Sequence, residues 1–175
     1  KGISCPVMLD DLLELGVKHI DDNILLAGIF DWNNENPEAW FELDGERYPL
    51  NMNYIRYFDN RFKWLTDHNI STTLIVLNGV PREPDPKNPF IHPWTDLANT
   101  PYHLGGINIY DERGFKWYRA ALEFLSERYT RPDAEYGLLD GFIIANEVQA
   151  HWVWSNLGEC TPSDFLDEYI KALRV

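Results

Sequence analysis

Gly141-Phe142-Ile143-Ile144-Ala145-Asn146-Glu147 is an uncharged run that ends abruptly in an amide and a carboxylate. The uncharged part, Gly141 to Ala145, suits a strand covered on both faces in a parallel sheet. A polar pair placed directly after such a strand stands at its carboxyl end. In a (β/α)8 barrel that is the face on which the active site is built. Glu147 is therefore read as the centre of the site, with the rest of the chain as its support.

Working outward, Gly114 to Tyr129 predicts a long helix, with Phe115, Tyr118, Leu122, Leu125 and Tyr129 along one face and Arg131-Pro132-Asp133 as its stop. On the other side, Val148 to Cys160 reads as a loop holding Trp152 and Trp154. A final helix then begins, with Thr161 as cap, Pro162 at its first position and Asp164 three residues after the cap. Further upstream, Ser71 to Leu77 is a β-branched strand ending at Asn78-Gly79. Before it, Met52, Ile55, Phe58, Phe62 and Leu65 mark one buried helix face, with Asn51 as N-cap and Asn69 as C-terminal stop. Between these parts lies Val80 to Glu112, a long loop with six prolines, Pro81, Pro84, Pro86, Pro89, Pro93 and Pro101. Its aromatics and histidines (Phe90, His92, Trp94, Tyr102, His103) suit a packed loop that covers a site.

The first third follows the same alternation. Ile3 to Cys5 ends a first strand, and Pro6 opens a helix with a Val7, Leu9, Leu12, Leu13 stripe that Gly16 closes. Val17 to Leu26 is a second strand, interrupted by Asp21-Asp22-Asn23. Asp31 to Leu50 reads as an insertion, with Trp40 to Leu43 and Glu46 to Tyr48 as a hairpin about Asp44-Gly45. That pair supplies the positive φ values of a two-residue type I′ turn.

Strands alternating with helices imply parallel pairing. The expected fold is α/β: the N-terminal half, about four β/α units, of a TIM (β/α)8 barrel, with a β-hairpin insertion after the second strand. Residues 1–175 are read as a partial barrel within a longer single catalytic domain, since a whole barrel takes about 250 residues. An open sheet is the other topology, but no Gly-rich phosphate loop follows any strand.

The formal net charge of −13 argues against nucleic acid and anionic membrane as partners. No apolar run is long enough for membrane insertion. Cys5 and Cys160, the two cysteines, make neither a disulfide scaffold nor a zinc cluster; a single bridge or two free thiols are both compatible. The chain starts at Lys1, without a charged leader, so it reads as processed or excerpted. The seven Trp, nine Tyr and nine Phe suit the apolar faces of sugars and equally a large core.

Phe142-Ile143-Ile144-Ala145-Asn146-Glu147-Val148 resembles the fourth-strand end of clan A glycoside hydrolases. The wider pattern is closer still to a family of bacterial glycoside-hydrolase-like barrels labelled only as a domain of unknown function. The matching pieces are Gly16-Val17-Lys18-His19 leading to Asn23, Leu77-Asn78, Glu127-Arg128-Tyr129-Thr130-Arg131-Pro132-Asp133, Tyr136-Gly137, and Asn146-Glu147-Val148-Gln149 before the Trp-containing loop with Gly158. The resemblance spans most of the chain apart from Asp31 to Tyr48. It implies that Glu147 is the acid/base of a glycosidase and that Asn146 binds the sugar 2-hydroxyl. It also implies that the nucleophile, a Glu at the seventh strand, lies outside these residues.

A retaining glycosidase needs two carboxyl groups about 5–5.5 Å apart, one to protonate the leaving oxygen and one to attack the anomeric carbon. Glu147 fits the first role; its structural alternative is a strand-end Glu paired with Arg or Lys. Asn146 is a sugar ligand or a turn residue. Asn23 and Asn78, at predicted strand ends, face the same mouth or cap turns. His92 reaches the site from the long loop or is structural. Trp152 and Trp154 form a sugar platform or pack in the core. Asp21 and Asp22 read as strand-end polar residues. His151, four residues after Glu147, lies in no His-Glu-x-x-His motif, so no metal is expected. The expected function is hydrolysis of a carbohydrate glycosidic bond without a cofactor. The alternatives are a non-catalytic carbohydrate-binding barrel and a half-barrel that dimerises. The remaining barrel half would come from the same chain or a second subunit. Export to the cell surface or beyond is expected only by analogy with sugar hydrolases of similar composition.

Overall fold

A computed structural model of residues 1–175 runs β1 (Gly2–Ser4), α1 (Leu9–Glu14), β2 (His19–Leu25), α2 (Leu26–Ile29), β3 (Ala39–Leu43), β4 (Glu46–Leu50), α3 (Met52–Asp67), β5 (Ser71–Gly79), β6 (Leu104–Gly105), α4 (Glu112–Tyr129), β7 (Gly141–Ile144), α5 (His151–Trp154) and α6 (Pro162–Ala172). β1, β2, β5 and β7 lie side by side and parallel, in that order. β6 adds antiparallel to the last two residues of β5. The sheet curls like half of a barrel, and β3–β4 stands apart as a hairpin.

Strand periodicity gives the curled sheet two unlike faces. Ile20, Ile24, Leu74 and Val76 point to the convex side. There they meet Ile55, Phe58, Phe62 and Leu65 of α3 and Tyr118, Ala121, Phe124 and Leu125 of α4 in one buried core. The alternate positions of β2 and β5 point to the concave side, where His19 Nε2 lies 3.0 Å from Thr73 Oγ1. Leu25 (39% exposed) and Ile143 (42%) lie open to solvent.

Local signals set the helix ends. The Asn51 side chain accepts from Tyr54 N–H, Asp111 accepts from Gly114 N–H, and Thr161 and Asp164 close a reciprocal capping box. Asp44 (φ 52°) and Gly45 (φ 79°) form the positive-φ turn of the hairpin. The hairpin packs on the helical layer: Phe41 meets Phe124 and Tyr48 meets Trp117 edge-on, while Lys116 and Arg119 pair with Glu46 and Asp44.

Three expectations are corrected. The first helix begins at Leu9, not Pro6, and Val7 is exposed. The Pro6 carbonyl is engaged instead by Arg61 Nη2 at 2.5 Å. The second strand is not interrupted at Asp21-Asp22-Asn23, because Asp22 turns to the convex side and is neutralised there by Arg61. The predicted loop after Glu147 contains the short helix α5. Cys5 and Cys160 are both free thiols. No helix is long and apolar enough to cross a membrane.

Candidate functional site

The site is built on the carboxyl ends of β5 and β7. Ala145 continues β7 by donating its N–H to the Val76 carbonyl (2.9 Å), then takes φ 62°. Glu147 has φ 41° and its carbonyl accepts from Ala150 N–H at 2.7 Å. Two left-handed residues either side of Asn146 thus reverse the chain sharply. Each costs about 1–2 kcal/mol in an L-residue. Tyr102 (φ 54°) and His103 (φ 55°) share this conformation and lie in the segment that enters β6. Unfavourable backbone gathered in one place is held there by surrounding contacts and is a recurrent mark of functional sites.

Those contacts are specific. Val80 N–H donates to the His103 carbonyl (2.8 Å), Gly106 N–H to Asn156 and Asn156 N–H to Leu104. The β5 end, β6 and the segment after α5 are thereby laced together. The Glu147 carboxylate is exposed. Its protein partner is the Trp154 indole, which donates Nε1–H to Oε2 at 2.9 Å. Trp154 in turn packs against Ile75, Leu77 and Leu104 and stacks on Tyr102, with ring centres 5.3 Å apart and planes 17° from parallel. A carboxylate that keeps one oxygen free and is held by an aromatic N–H is placed to exchange a proton with a bound group.

The expected site residues separate into two sets. Asn146, half-buried, stands beside Glu147 with its side-chain amide unused by the protein. Asn23 lies on the concave face, two residues before the end of β2 rather than at it, and is exposed. Trp154 is joined to Glu147, whereas Trp152 is exposed and touches His151 edge-on. His151 stacks on Phe165 and its Nε2 is 3.9 Å from Cys160 Sγ.

Asn78 and His92 point elsewhere. Strand alternation turns Asn78 to the side of Leu74 and Val76. Its Nδ2 donates to the Phe90 and Gly106 carbonyls (2.7 and 2.6 Å), pinning the long loop at two points 16 residues apart. His92 is fully buried; its Nδ1 accepts from Trp94 N–H (3.1 Å), so the ring proton sits on Nε2, 3.5 Å from Glu168 Oε2. It ties the loop to α6, and Lys171 neutralises Glu168 from the other side. Sequence reasoning did not single out Tyr102; its signal is available only as one aromatic among several in a proline-rich loop.

Burial holds the His92 imidazole below its ordinary value of 6.5, against the upward pull of Glu168 and Asp111 and with a small downward push from Lys171. Below about pH 6.5 the unfolded chain then binds more protons than the folded one, so stability falls as pH drops through that value. His151, also held low by burial, acts with the same sign. Urea midpoints measured between pH 7.5 and 5.5 are expected to fall, with a shallower slope in His92→Gln. Equal slopes in the two proteins would remove His92 as a source.

A family model described as a family of unknown function (DUF5722) matches residues 1–175. The chain belongs to that family. Comparison with curated proteins and with solved structures gives no match.

Proposed function

We propose that this member of the DUF5722 family is the N-terminal half of a (β/α)8 barrel and that the intact protein hydrolyses a glycosidic bond with retention. Glu147 is the acid/base, Asn146 binds a sugar hydroxyl beside the reacting carbon, and the nucleophilic carboxylate lies outside residues 1–175. One observation carries the reading. Glu147 stands exposed at the carboxyl end of a parallel strand, held by an indole N–H rather than by an arginine or lysine. The structural alternative, an ion pair closing a strand end, would require such a cation. In the forward step Glu147 gives its proton to the leaving oxygen; in the second step it takes one from water.

The concave face is covered over β5 by Leu104 and Trp154 but open on β2 and β7, which supports the half-barrel reading and equally the binding-barrel and dimer readings. Leu25 and Ile143 are exposed there on β2 and β7, and parallel sheets are normally covered on both faces. Four further strands, from the same chain or from a second subunit, would cover them.

The test is hydrolysis by the intact protein of aryl glycosides and polysaccharides, wild type beside Glu147→Gln. The variant is expected to lose at least about a hundredfold on poor leaving groups. It should retain far more activity on activated aryl glycosides, whose departure needs no proton. Equal activity in both proteins would overturn the assignment. No hydrolysis in either, with sugar binding intact, would favour the non-catalytic barrel.

A further inference from the structure

Tyr102 is 73% exposed, more than any other aromatic side chain of the protein. An open tyrosine on a floppy loop would mean little, but this one is held. Its own φ of 54° and the 55° of His103 are unfavourable for residues bearing a Cβ. Val80 N–H to His103 and the β5–β6 pairing keep them so. One ring face is stacked on Trp154, and the other is left to solvent. The Trp154 indole Nε1–H donates to the Glu147 carboxylate at 2.9 Å. The arrangement is a rigid flat apolar surface, two rings thick, with a hydrogen-bonding carboxylate at its rim.

A pyranose ring has the complementary character. Its axial C–H groups make an apolar face that stacks on an aromatic ring, and its hydroxyls project around the edge, where they meet acceptors and donors. A flat aliphatic or aromatic ligand would use the ring face but leave the carboxylate uncompensated. A cation would be drawn to Glu147 and to the open ring face alike, but it has no hydroxyls to meet donors and acceptors around the rim.

We propose that Tyr102 and Trp154 form a pyranose-stacking subsite beside Glu147. It takes one sugar unit of an oligosaccharide on the open face of Tyr102. This rests on the glycosidase reading for its ligand class and deepens it: the substrate is a chain of at least two pyranose units, one held on the platform and the next presented to Glu147. Trp154 has two roles here, as the base of the stack and as the N–H that aims the carboxylate. Tyr102 has only the first.

The experiment follows the Trp154 indole N–H resonance of the intact protein by NMR. Trp154→Phe identifies that resonance by its loss. The probes are hexasaccharides of β-1,4-linked glucose, mannose and xylose and of α-1,4-linked glucose, with free glucose as the single-ring control. At least one hexasaccharide is expected to shift the resonance saturably, with free glucose much weaker. Tyr102→Gly accommodates the left-handed backbone while removing the ring, so the loop is kept; it is expected to weaken that binding about tenfold or more. Tyr102→Phe, which keeps the ring, is expected to bind as the wild type does. A resonance that no hexasaccharide shifts, or a Tyr102→Gly variant that binds normally, would overturn the subsite. The two readings can fail separately. Loss of binding in Tyr102→Gly with unimpaired hydrolysis in Glu147→Gln would keep the platform and remove the acid/base. Loss of hydrolysis in Glu147→Gln with normal binding in Tyr102→Gly would do the reverse.

Discussion

Asp22→Ala is expected to destabilise the protein by about 3–5 kcal/mol, the usual cost of breaking a buried ion pair from one side. Asp22 faces the convex side of β2, and Arg61 reaches it from α3. Both side chains are nearly closed to solvent, at 11% and 9% exposure. The Arg61 Nε donates to Asp22, and Nη2 donates to the Pro6 carbonyl at 2.5 Å, so one guanidinium joins the β1–α1 connection, β2 and α3. Removing the carboxylate leaves that guanidinium desolvated with a single carbonyl as partner. A drop in melting temperature on the order of 10 °C should follow. The double variant Asp22→Leu, Arg61→Met should recover most of the loss, because apolar replacements of similar volume carry no desolvation cost. A single variant that loses under about 1 kcal/mol would mean that the pair behaves like a surface ion pair.

Gly137→Ala is expected to cost about 2–5 kcal/mol, adding the usual price of overpacking to that of a positive φ in a residue with a Cβ. Gly137 has φ +92° and lies against the backbone of α3. A Cβ there would stand 2.3 Å from the carbonyl carbon of Phe62 and 2.5 Å from Lys63 N and Phe62 O. These are helix backbone atoms and cannot swing aside as a side-chain tip would. Equilibrium urea unfolding of Gly137→Ala beside Gly141→Ala gives the contrast. At Gly141 no atom lies within 4 Å of an added Cβ, so that variant should change stability little. If both variants are equally mild, the close approach of residue 137 to α3 is not a constraint on the fold.

Much of this architecture is legible in the sequence. Asn51, Thr161 with Asp164, Asp44-Gly45 and Asn69 all have the expected cap or turn geometry. Each depends on bonds or dihedrals within about four residues, so local sequence suffices. The strand-helix alternation and the separate hairpin were legible for the same reason. Where reading failed, a distant partner had intervened. Pro6 does not open a helix because Arg61, 55 residues away, engages its carbonyl. Asp22 does not interrupt β2 because the same arginine neutralises it. Asn78 lies near a strand end as expected, but two carbonyls of the long loop, one of them 28 residues away, occupy its amide.

The same division runs through the site. The run Gly141 to Glu147 by itself determined that an uncharged parallel strand would carry an amide and a carboxylate out at its end, because polarity is written residue by residue. The expected cover on both faces is not met, since β7 is half-buried with Ile143 42% exposed. Only the tertiary structure decided what meets that carboxylate. It brought the Trp154 indole to Glu147 and laid Tyr102, 52 residues from Trp154 in the chain, against the same ring. It also turned His92 away, into a buried contact with Glu168. Which of several aromatics in a long loop reaches a given carboxylate depends on how that loop is pinned across the sheet. That pinning is made of long-range hydrogen bonds, and no periodicity or local motif encodes them.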